Sequence, residues 1–283
     1  MNAETQITVG LGNIQEGYGS PFSLHRLIRN TTVTTVPPGT KAEPCARIER
    51  GQGCGVERCG LCEARAVSIC NAIEEDQLSE LARATTVVEL APGEVFRNEG
   101  ASPEYLFNII SGSVKLFKLL ADGRRAVIGF LTVGDFIGFG RPDAVPCSAE
   151  ALTNVRLCRF ERGKFRVLLE TYPKLERRLL AVASDEVAAG QEHMTLLGRL
   201  TADERVARFL LARAEASQRL GGSSKDLELP MTRSDIADYL GLTIETVSRV
   251  FTRLRRKGLI DYKTARSVTL QDRPGLLAIS EGG

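Results

Sequence analysis

Long apolar runs are absent from this sequence, and so is the pattern of a secretory leader. No uninterrupted apolar stretch approaches the length of a bilayer-spanning helix, and no basic start precedes an apolar core. We therefore expect a cytoplasmic protein that has no membrane partner. The net charge is only +2, so the overall charge does not identify a partner and the local charge must be examined instead.

Histidine is scarce, whereas cysteine occurs seven times. Neither His25 nor His193 stands at metal-ligand spacing from a cysteine. In a reducing compartment, cysteines act as thiols or metal ligands more often than they form disulfides. Four thiolates can hold an iron-sulfur cluster, and zinc also accepts four thiolates. The cysteines are therefore the first candidates for chemistry.

The chain has 283 residues, of which 43% are apolar, which is enough for two compact domains. The texture of the sequence predicts an α+β fold, with short strands separated by glycines in the first half and helices after Pro173. Local patterns also predict a helix over residues 74–84, a hairpin at Asp122-Gly123 and a capping box formed by Thr201 and Glu204. The predicted organisation is a mobile tail (1–44), a cysteine-rich arm (45–72), a β-roll (73–171), a dimerisation helix (172–200) and a DNA-binding domain (201–283).

The segment after Pro173 predicts one long helix that ends near Arg199. A helix of this length, about 40 Å, is longer than a small domain, so pairing with a second copy explains its apolar stripe better than packing on one roll does. The residues predicted to form the dimer interface are Leu175, Leu179, Val182, Ala189 and Leu196.

Two short helices separated by Gly241-Leu242-Thr243 form the clearest motif. Thr232 and Thr243 are suited to cap the two helices, and Gly241 is suited to end the first one. So short a turn fixes the second helix at a steep angle to the first, which is typical of a helix-turn-helix.

The second of these helices carries a polar face that fits a DNA groove. Seven basic residues and one acidic residue occur from Arg249 to Arg266, a concentration that suits a phosphate backbone. Two strands around Lys263 predict a small wing whose turn is able to reach phosphate. The predicted DNA-contacting residues are Glu245, Ser248, Arg249, Arg253, Thr232, Thr243 and Lys263.

The stretch LPMTRSDIADYLGLTIETVSR, residues 229–249, closely resembles the DNA-binding module of the cyclic-AMP receptor protein and FNR superfamily. The order of roll, long helix and winged helix-turn-helix resembles the same superfamily over about residues 59–275. The resemblance implies that Glu245, Ser248 and Arg249 read bases, and that the target is a double-stranded TTGAT-type inverted repeat bound by a homodimer. It also implies RNA polymerase as a partner and no enzymatic activity.

The residues that distinguish branches of this superfamily argue against the binding of a cyclic nucleotide. The segment 134–138 resembles part of a cyclic-nucleotide cradle, but the only arginine between Phe139 and Ala149 is Arg141, which Pro142 follows. A buried phosphate without its counter-charge is poorly held. We therefore expect no cyclic nucleotide.

The spacing C-x2-C-x7-C of Cys59, Cys62 and Cys70, with a distant Cys158, resembles the oxygen-sensing FNR proteins. The resemblance implies a [4Fe-4S] cluster on these four cysteines, lost in oxygen together with dimerisation and DNA binding. One residue differs from the pattern of the FNR proteins: Gly190 stands where those proteins carry an acidic residue on the dimer helix.

Other uses of the cysteines remain open at this stage. Cys54, Cys59, Cys62 and Cys70 form a possible zinc set, and the same regulator is able to sense by thiol oxidation instead. Cys45 or Cys54 is a possible substitute for an arm ligand, and Cys147 for Cys158. A redox enzyme built on the same roll is a further alternative, although no βαβ pattern surrounds the Cys59-x2-Cys62 pair.

Overall fold

The computed structural model describes residues 57–140 and 143–282. The predicted tail 1–44, Cys45 and Cys54 lie outside the described residues, as do Arg141 and Pro142. Within the described ranges, none of the helices combines the length and the apolar character needed to cross a membrane.

Two four-stranded antiparallel sheets form the predicted β-roll, and the prediction of an α+β fold is confirmed. One sheet has the order β1-β8-β3-β6 and the other β2-β7-β4-β5, so the chain alternates between them. The predicted hairpin at Asp122-Gly123 joins β4 to β5, and Gly123 has a positive φ of 82°. The strands are β1 (Thr85–Leu90), β2 (Val95–Arg97), β3 (Tyr105–Ser111), β4 (Val114–Leu119), β5 (Arg125–Leu131), β6 (Phe136–Ile137), β7 (Ser148–Ala151) and β8 (Val155–Glu161).

Short helical turns precede the roll. Helix α1 (Glu57–Gly60) is followed by 3-10 turns at Arg65–Val67, Ile69–Ala72 and Glu75–Gln77, and then by helix α2 (Leu78–Arg83). The helix expected over residues 74–84 is thus α-helical only from Leu78. No side chain caps the turn at Glu74, so the amides there lack the partner that favours an α-helical start.

Helix α3 (Arg162–Thr171) leads into the predicted long helix, α4 (Pro173–Arg199), which has 27 residues. Pro173 opens α4, where its missing N–H costs no hydrogen bond. The first part of α4 packs against the cysteine-rich arm, because Leu175 shares a core with Ile69 and Ile73 of the arm. The arm is thereby held between the roll and α4.

The carboxy-terminal module contains the predicted winged helix-turn-helix. Thr201 and Glu204 form the expected capping box at the start of α5. A three-stranded sheet of order β10-β11-β9 makes the wing. The elements are α5 (Ala202–Arg219), β9 (Asp226–Glu228), α6 (Arg233–Leu240), α7 (Ile244–Arg256), β10 (Ile260–Thr264), β11 (Ser267–Leu270) and α8 (Arg273–Ser280).

The module and the roll share one hydrophobic core. Phe117, Val127 and Phe130 of the roll belong to the cluster that also contains the buried side chains of α5, α6 and α7. The roll therefore contacts the helix-turn-helix directly and not only through α4.

Candidate DNA-binding surface and cysteine site

The turn between α6 and α7 has the geometry that the sequence predicts. Gly241 lies in the left-handed region at φ 61°, and a Cβ there would come 3.1 Å from Leu197 Cδ2. Thr232 accepts a hydrogen bond from the amide of Asp235, and Thr243 accepts one from the amide of Thr246. Both threonines cap a helix, so the angle between α6 and α7 is fixed locally.

Helix α7 has one buried and one exposed face. Val247, Val250, Phe251 and Leu254 are at most 1% exposed, whereas Glu245, Ser248 and Arg249 are exposed together. The backbone amide of Glu245 and a hydrogen bond with Thr243 hold the pKa of Glu245 below its ordinary value. The carboxylate is therefore an acceptor at neutral pH, the form that a cytosine amino group requires.

Arg253 does not belong to this exposed set. Its guanidinium pairs with the Asp203 carboxylate at the start of α5, with Nε 3.1 Å from Oδ1 and Nη2 bonded to the same oxygen. Arg253 therefore ties α5 to α7, and its contact with DNA stays a prediction. The other predicted contacts, Thr232, Thr243 and Lys263, are exposed, and their contact with DNA stays a prediction.

Arg205, which the sequence did not single out, connects two helix ends. Its Nη2 donates to the carbonyl of Leu197 and its Nε to that of Leu200, both at 2.9 Å at the end of α4. Its Nη1 donates to the carbonyl of Leu240, also at 2.9 Å, at the end of α6. These carbonyls have no partner within their own helices, and a cation at a helix end also interacts favourably with the helix dipole.

The four predicted cluster ligands line one cavity. Cys59, Cys62 and Cys70 line it from the arm and Cys158 from β8, and the rest of the lining is Arg65, Leu81, Thr85, Asn108 and Phe160. Cys158 pairs in register with Val87 of β1 and Asn108 of β3, so it is fixed in the middle of a sheet. The arm and the roll thus contribute to the same site.

The surroundings of Cys70 in this cavity disfavour its thiolate. Burial raises the pKa of Cys70 to about 12; a hydrogen bond with Ser68 opposes this shift, whereas the nearby Cys62 and Cys59 add to it. A cation bound to sulfur offsets such costs. Within residues 57–140 and 143–282, however, no group of three or more His, Cys, Asp or Glu side chains is arranged to hold a metal ion.

Cys147 does not line this cavity. It is buried at the entrance to β7, where burial raises its pKa and the neighbouring Arg97 lowers it. The suggestion that Cys147 replaces Cys158 as a ligand is therefore not supported by its position.

The cradle-like segment of the roll is in contact with the arm. Gly134 has φ 89°, and a Cβ on it would lie 2.6 Å from Val67 Cγ2 and 3.1 Å from the Val67 carbonyl oxygen. Only glycine permits both this conformation and this approach. The arm is therefore in direct contact with the turn that begins the segment 134–138.

The exposed apolar face of α4 differs from the predicted one. Leu175 is fully buried and Leu196 is 8% exposed, both within the chain's own cores, and Leu179 and Val182 are partly covered by the arm core. Of the predicted interface residues only Ala189 is exposed. The large apolar side chains that remain exposed on α4 include Leu180, Val187 and Met194, which recur every seven residues and are 61–66% exposed.

Comparison with known proteins agrees with both halves of this structure. Residues 87–172 match the model of the cyclic nucleotide-binding domain, and residues 204–279 match that of the Crp-like helix-turn-helix domain. The nitrogen fixation regulation protein FixK of Bradyrhizobium diazoefficiens is 41% identical over 202 residues, which cover 71% of this chain and 85% of that protein.

Two further relatives extend the comparison. The transcriptional activator protein FnrL of Cereibacter sphaeroides is 34% identical, over 78% of this chain and 91% of that protein. The solved structure of FixK2 from Bradyrhizobium japonicum is 33% identical and has a TM-score of 0.66, covering 70% of this chain and 98% of that one.

Proposed function

Since the chain belongs to the CRP/FNR family of transcription regulators, we propose that it is an oxygen-responsive member that binds a TTGAT-type inverted repeat as a homodimer. The proposed sensor is a [4Fe-4S] cluster on Cys59, Cys62, Cys70 and Cys158. Membership in a family of regulators replaces the alternative of a redox enzyme. Contact with RNA polymerase stays a prediction.

The observation that carries the proposal is that four cysteines from two distant segments line one cavity. The alternative zinc set takes its fourth thiol from Cys54 and leaves Cys158 unused. A cavity that brings Cys158 of the roll together with three thiols of the arm therefore supports the cluster set over the zinc set.

The position of the cavity supports a link to dimerisation. The arm that carries three of the cysteines packs on the first part of α4 through Ile69, Ile73 and Leu175. The same contact is reinforced by Lys174, whose Nζ lies 2.6 Å from Glu74 Oε1. When bound, an iron-sulfur cluster supplies an oxygen-sensitive cross-link between arm and roll. Without that cross-link, the arm would be held only by its own contacts with the roll and α4.

A second copy of the chain is the proposed partner of the exposed stripe on α4. Leu180, Val187 and Met194 have the seven-residue period of a two-stranded coiled coil. Pairing two such helices places two recognition helices on one side of the molecule, as an inverted repeat requires. Of the residues predicted for the interface, Leu175 and Leu196 are buried within the chain, and the contribution of Leu179, Val182 and Ala189 stays a prediction.

The test begins with protein purified without oxygen, followed by analysis of iron, sulfide and zinc. About four irons per chain, lost in air together with affinity for the inverted repeat, are expected. A protein with one zinc and no iron, or a metal-free protein that loses affinity on thiol oxidation, would support the alternative of a zinc or thiol sensor.

A pair of cysteine variants sharpens this test. Cys158→Ser is expected to lose iron and visible absorption, whereas Cys147→Ser, which removes a buried thiol away from the cavity, retains both. Equal iron content in the two variants would contradict the assignment of Cys158 as a ligand.

A further inference from the structure

A buried lysine of the roll reaches the first helix of the helix-turn-helix. Lys115 lies on β4 and is 6% exposed. Its Nζ is 2.9 Å from Asp235 Oδ1 on α6 and 3.0 Å from Glu150 Oε1 on β7. Glu150 lies opposite Lys115 on the neighbouring strand of the roll. Of these two ion pairs of Lys115, the one with Asp235 therefore connects the roll to the DNA-binding module.

Asp235 uses its two oxygens for different purposes. Oδ2 accepts hydrogen bonds from the amide and hydroxyl of Thr232, at 2.9 and 2.6 Å, and so completes the cap of α6. Oδ1 accepts the bond from Lys115. Burial favours a raised pKa for Asp235, but the bonds from Thr232 and Lys115 outweigh it and hold the pKa below its ordinary value. The carboxylate is therefore charged at neutral pH.

Aromatic side chains form the rest of this contact. Phe130 of β5 lies 5.2 Å from the ring of Tyr239 on α6 and 6.1 Å from that of Phe209 on α5. His193 of α4 stacks on Tyr239 at 4.3 Å. Apolar contacts of this kind are attractive but poorly directional. The lysine supplies the directional element, because a buried charge is stable only next to its partners.

We propose that Lys115 is a positioning residue for DNA recognition. By binding Asp235 it sets the orientation of α6, and hence of the recognition helix α7, relative to the roll and α4. In a dimer this orientation determines the separation of the two recognition helices, which must match half-sites one helical turn of DNA apart. The inference rests on the proposed binding of an inverted repeat by a dimer.

The test compares two DNA duplexes, one with the complete TTGAT-type inverted repeat and one with a single half-site. In anaerobically prepared full-length protein, Lys115→Met is expected to lower affinity for the complete repeat about tenfold or more. Affinity for the half-site stays within about twofold, because no base contact is lost. The slope of affinity against salt is unchanged, because Lys115 touches no phosphate.

Two control variants separate positioning from charge and from folding. Lys118→Met removes the same charge from the same strand, but Lys118 pairs with Glu99 inside the roll, so wild-type binding to both duplexes is expected. Lys115→Arg keeps the charge and is expected to restore most of the affinity for the complete repeat.

Asp235→Asn tests the same ion pair from the side of Asp235. The asparagine oxygen still accepts the capping bonds from Thr232, whereas the charge that pairs with Lys115 is lost. This variant is expected to weaken binding to the complete repeat, and to add little to the effect of Lys115→Met when the two changes are combined.

The inference is overturned if Lys115→Met lowers affinity for both duplexes equally, because that result indicates general destabilisation. It is also overturned if Lys115→Met raises affinity for the complete repeat, because that result indicates an inhibitory contact. Failure of the wild type and of Lys118→Met to bind the complete repeat would overturn the proposed function, and this inference with it.

Discussion

Arg249 and Arg253 lie about one turn apart on α7 but have different surroundings. Arg249 is exposed beside Glu245 and Ser248, on the face that is free to enter a groove. Arg253 is bound to Asp203 of α5. The ion pair restricts the orientation of the Arg253 guanidinium and occupies two of its five N–H donors.

Substitution of each arginine by alanine is expected to separate recognition from stability. Arg249→Ala removes a candidate base contact, so affinity for the inverted repeat falls by about 1–3 kcal/mol and discrimination against altered bases at one position relaxes. Arg253→Ala breaks a partly exposed ion pair and lowers thermal stability modestly while sequence discrimination remains. Binding titrations on matched and mismatched sites measure both; equal loss of discrimination in the two variants would contradict the division of roles.

How far a residue's role is visible in the sequence depends on how near its partners are. The caps at Thr201 and Thr232 and the turn at Gly241 were predicted, since each depends on residues within one turn of helix. Arg205 and Lys115 were missed, because Arg205 bonds 35 residues away and Lys115 bonds 120 residues away. No local pattern identifies such pairs.

Helix α4 carries two apolar stripes, and this explains why its length could be predicted while the stripe left exposed could not. The stripe with Leu175 and Leu179 packs on the arm, and the stripe with Leu180 and Val187 is exposed. Neighbouring stripes share the same helical period, so periodicity cannot tell which one faces the chain's own arm. The fold of the arm decides between them.

A charge placed in the exposed stripe is expected to prevent dimerisation. Val187→Lys brings two lysines together at a coiled-coil interface, which desolvates both charges. Val167→Lys is the matched control, since Val167 on α3 is 59% exposed against 63% for Val187. Sedimentation should show monomers for the first variant and dimers for the second; dimers in both would place the interface elsewhere.

Gly190 lies on the same helix with no atom near the position that a Cβ would occupy. Alanine at this position therefore introduces no clash, and it should stabilise α4 by about 1 kcal/mol relative to glycine. Urea unfolding at fixed chain concentration measures the change. A decrease in stability would mean that close approach of a second helix needs the glycine.

In the molecule as a whole, the roll is the common support of the arm, of α4 and of the helix-turn-helix. The four cysteines of the cavity were singled out by resemblance to a family, and their role as ligands stays a proposal. The remaining wall, including Asn108, was not predicted, because it forms only when β3 and β8 pair.

The contact between roll and helix-turn-helix should depend on pH with a definite sign. The pKa of Asp235 is below its ordinary value of 3.8 in the folded protein. Its stabilising contribution is therefore complete above that value and is lost as the pH falls through the folded pKa. The difference in unfolding free energy between wild type and Asp235→Asn should be constant from pH 7 to about pH 5 and vanish in stronger acid. A difference that instead grows in acid would contradict this sign.

The bonds that Arg205 makes to the ends of α4 and α6 have a consequence for local motion. A helix end normally frays independently of other helices. Here, opening the last turn of α6 breaks a hydrogen bond from the guanidinium of Arg205. The same guanidinium also donates to a carbonyl in the last turn of α4. We therefore expect the opening of the two turns to be coupled, which would link the end of the helix proposed to join two chains to the start of the turn proposed to meet DNA.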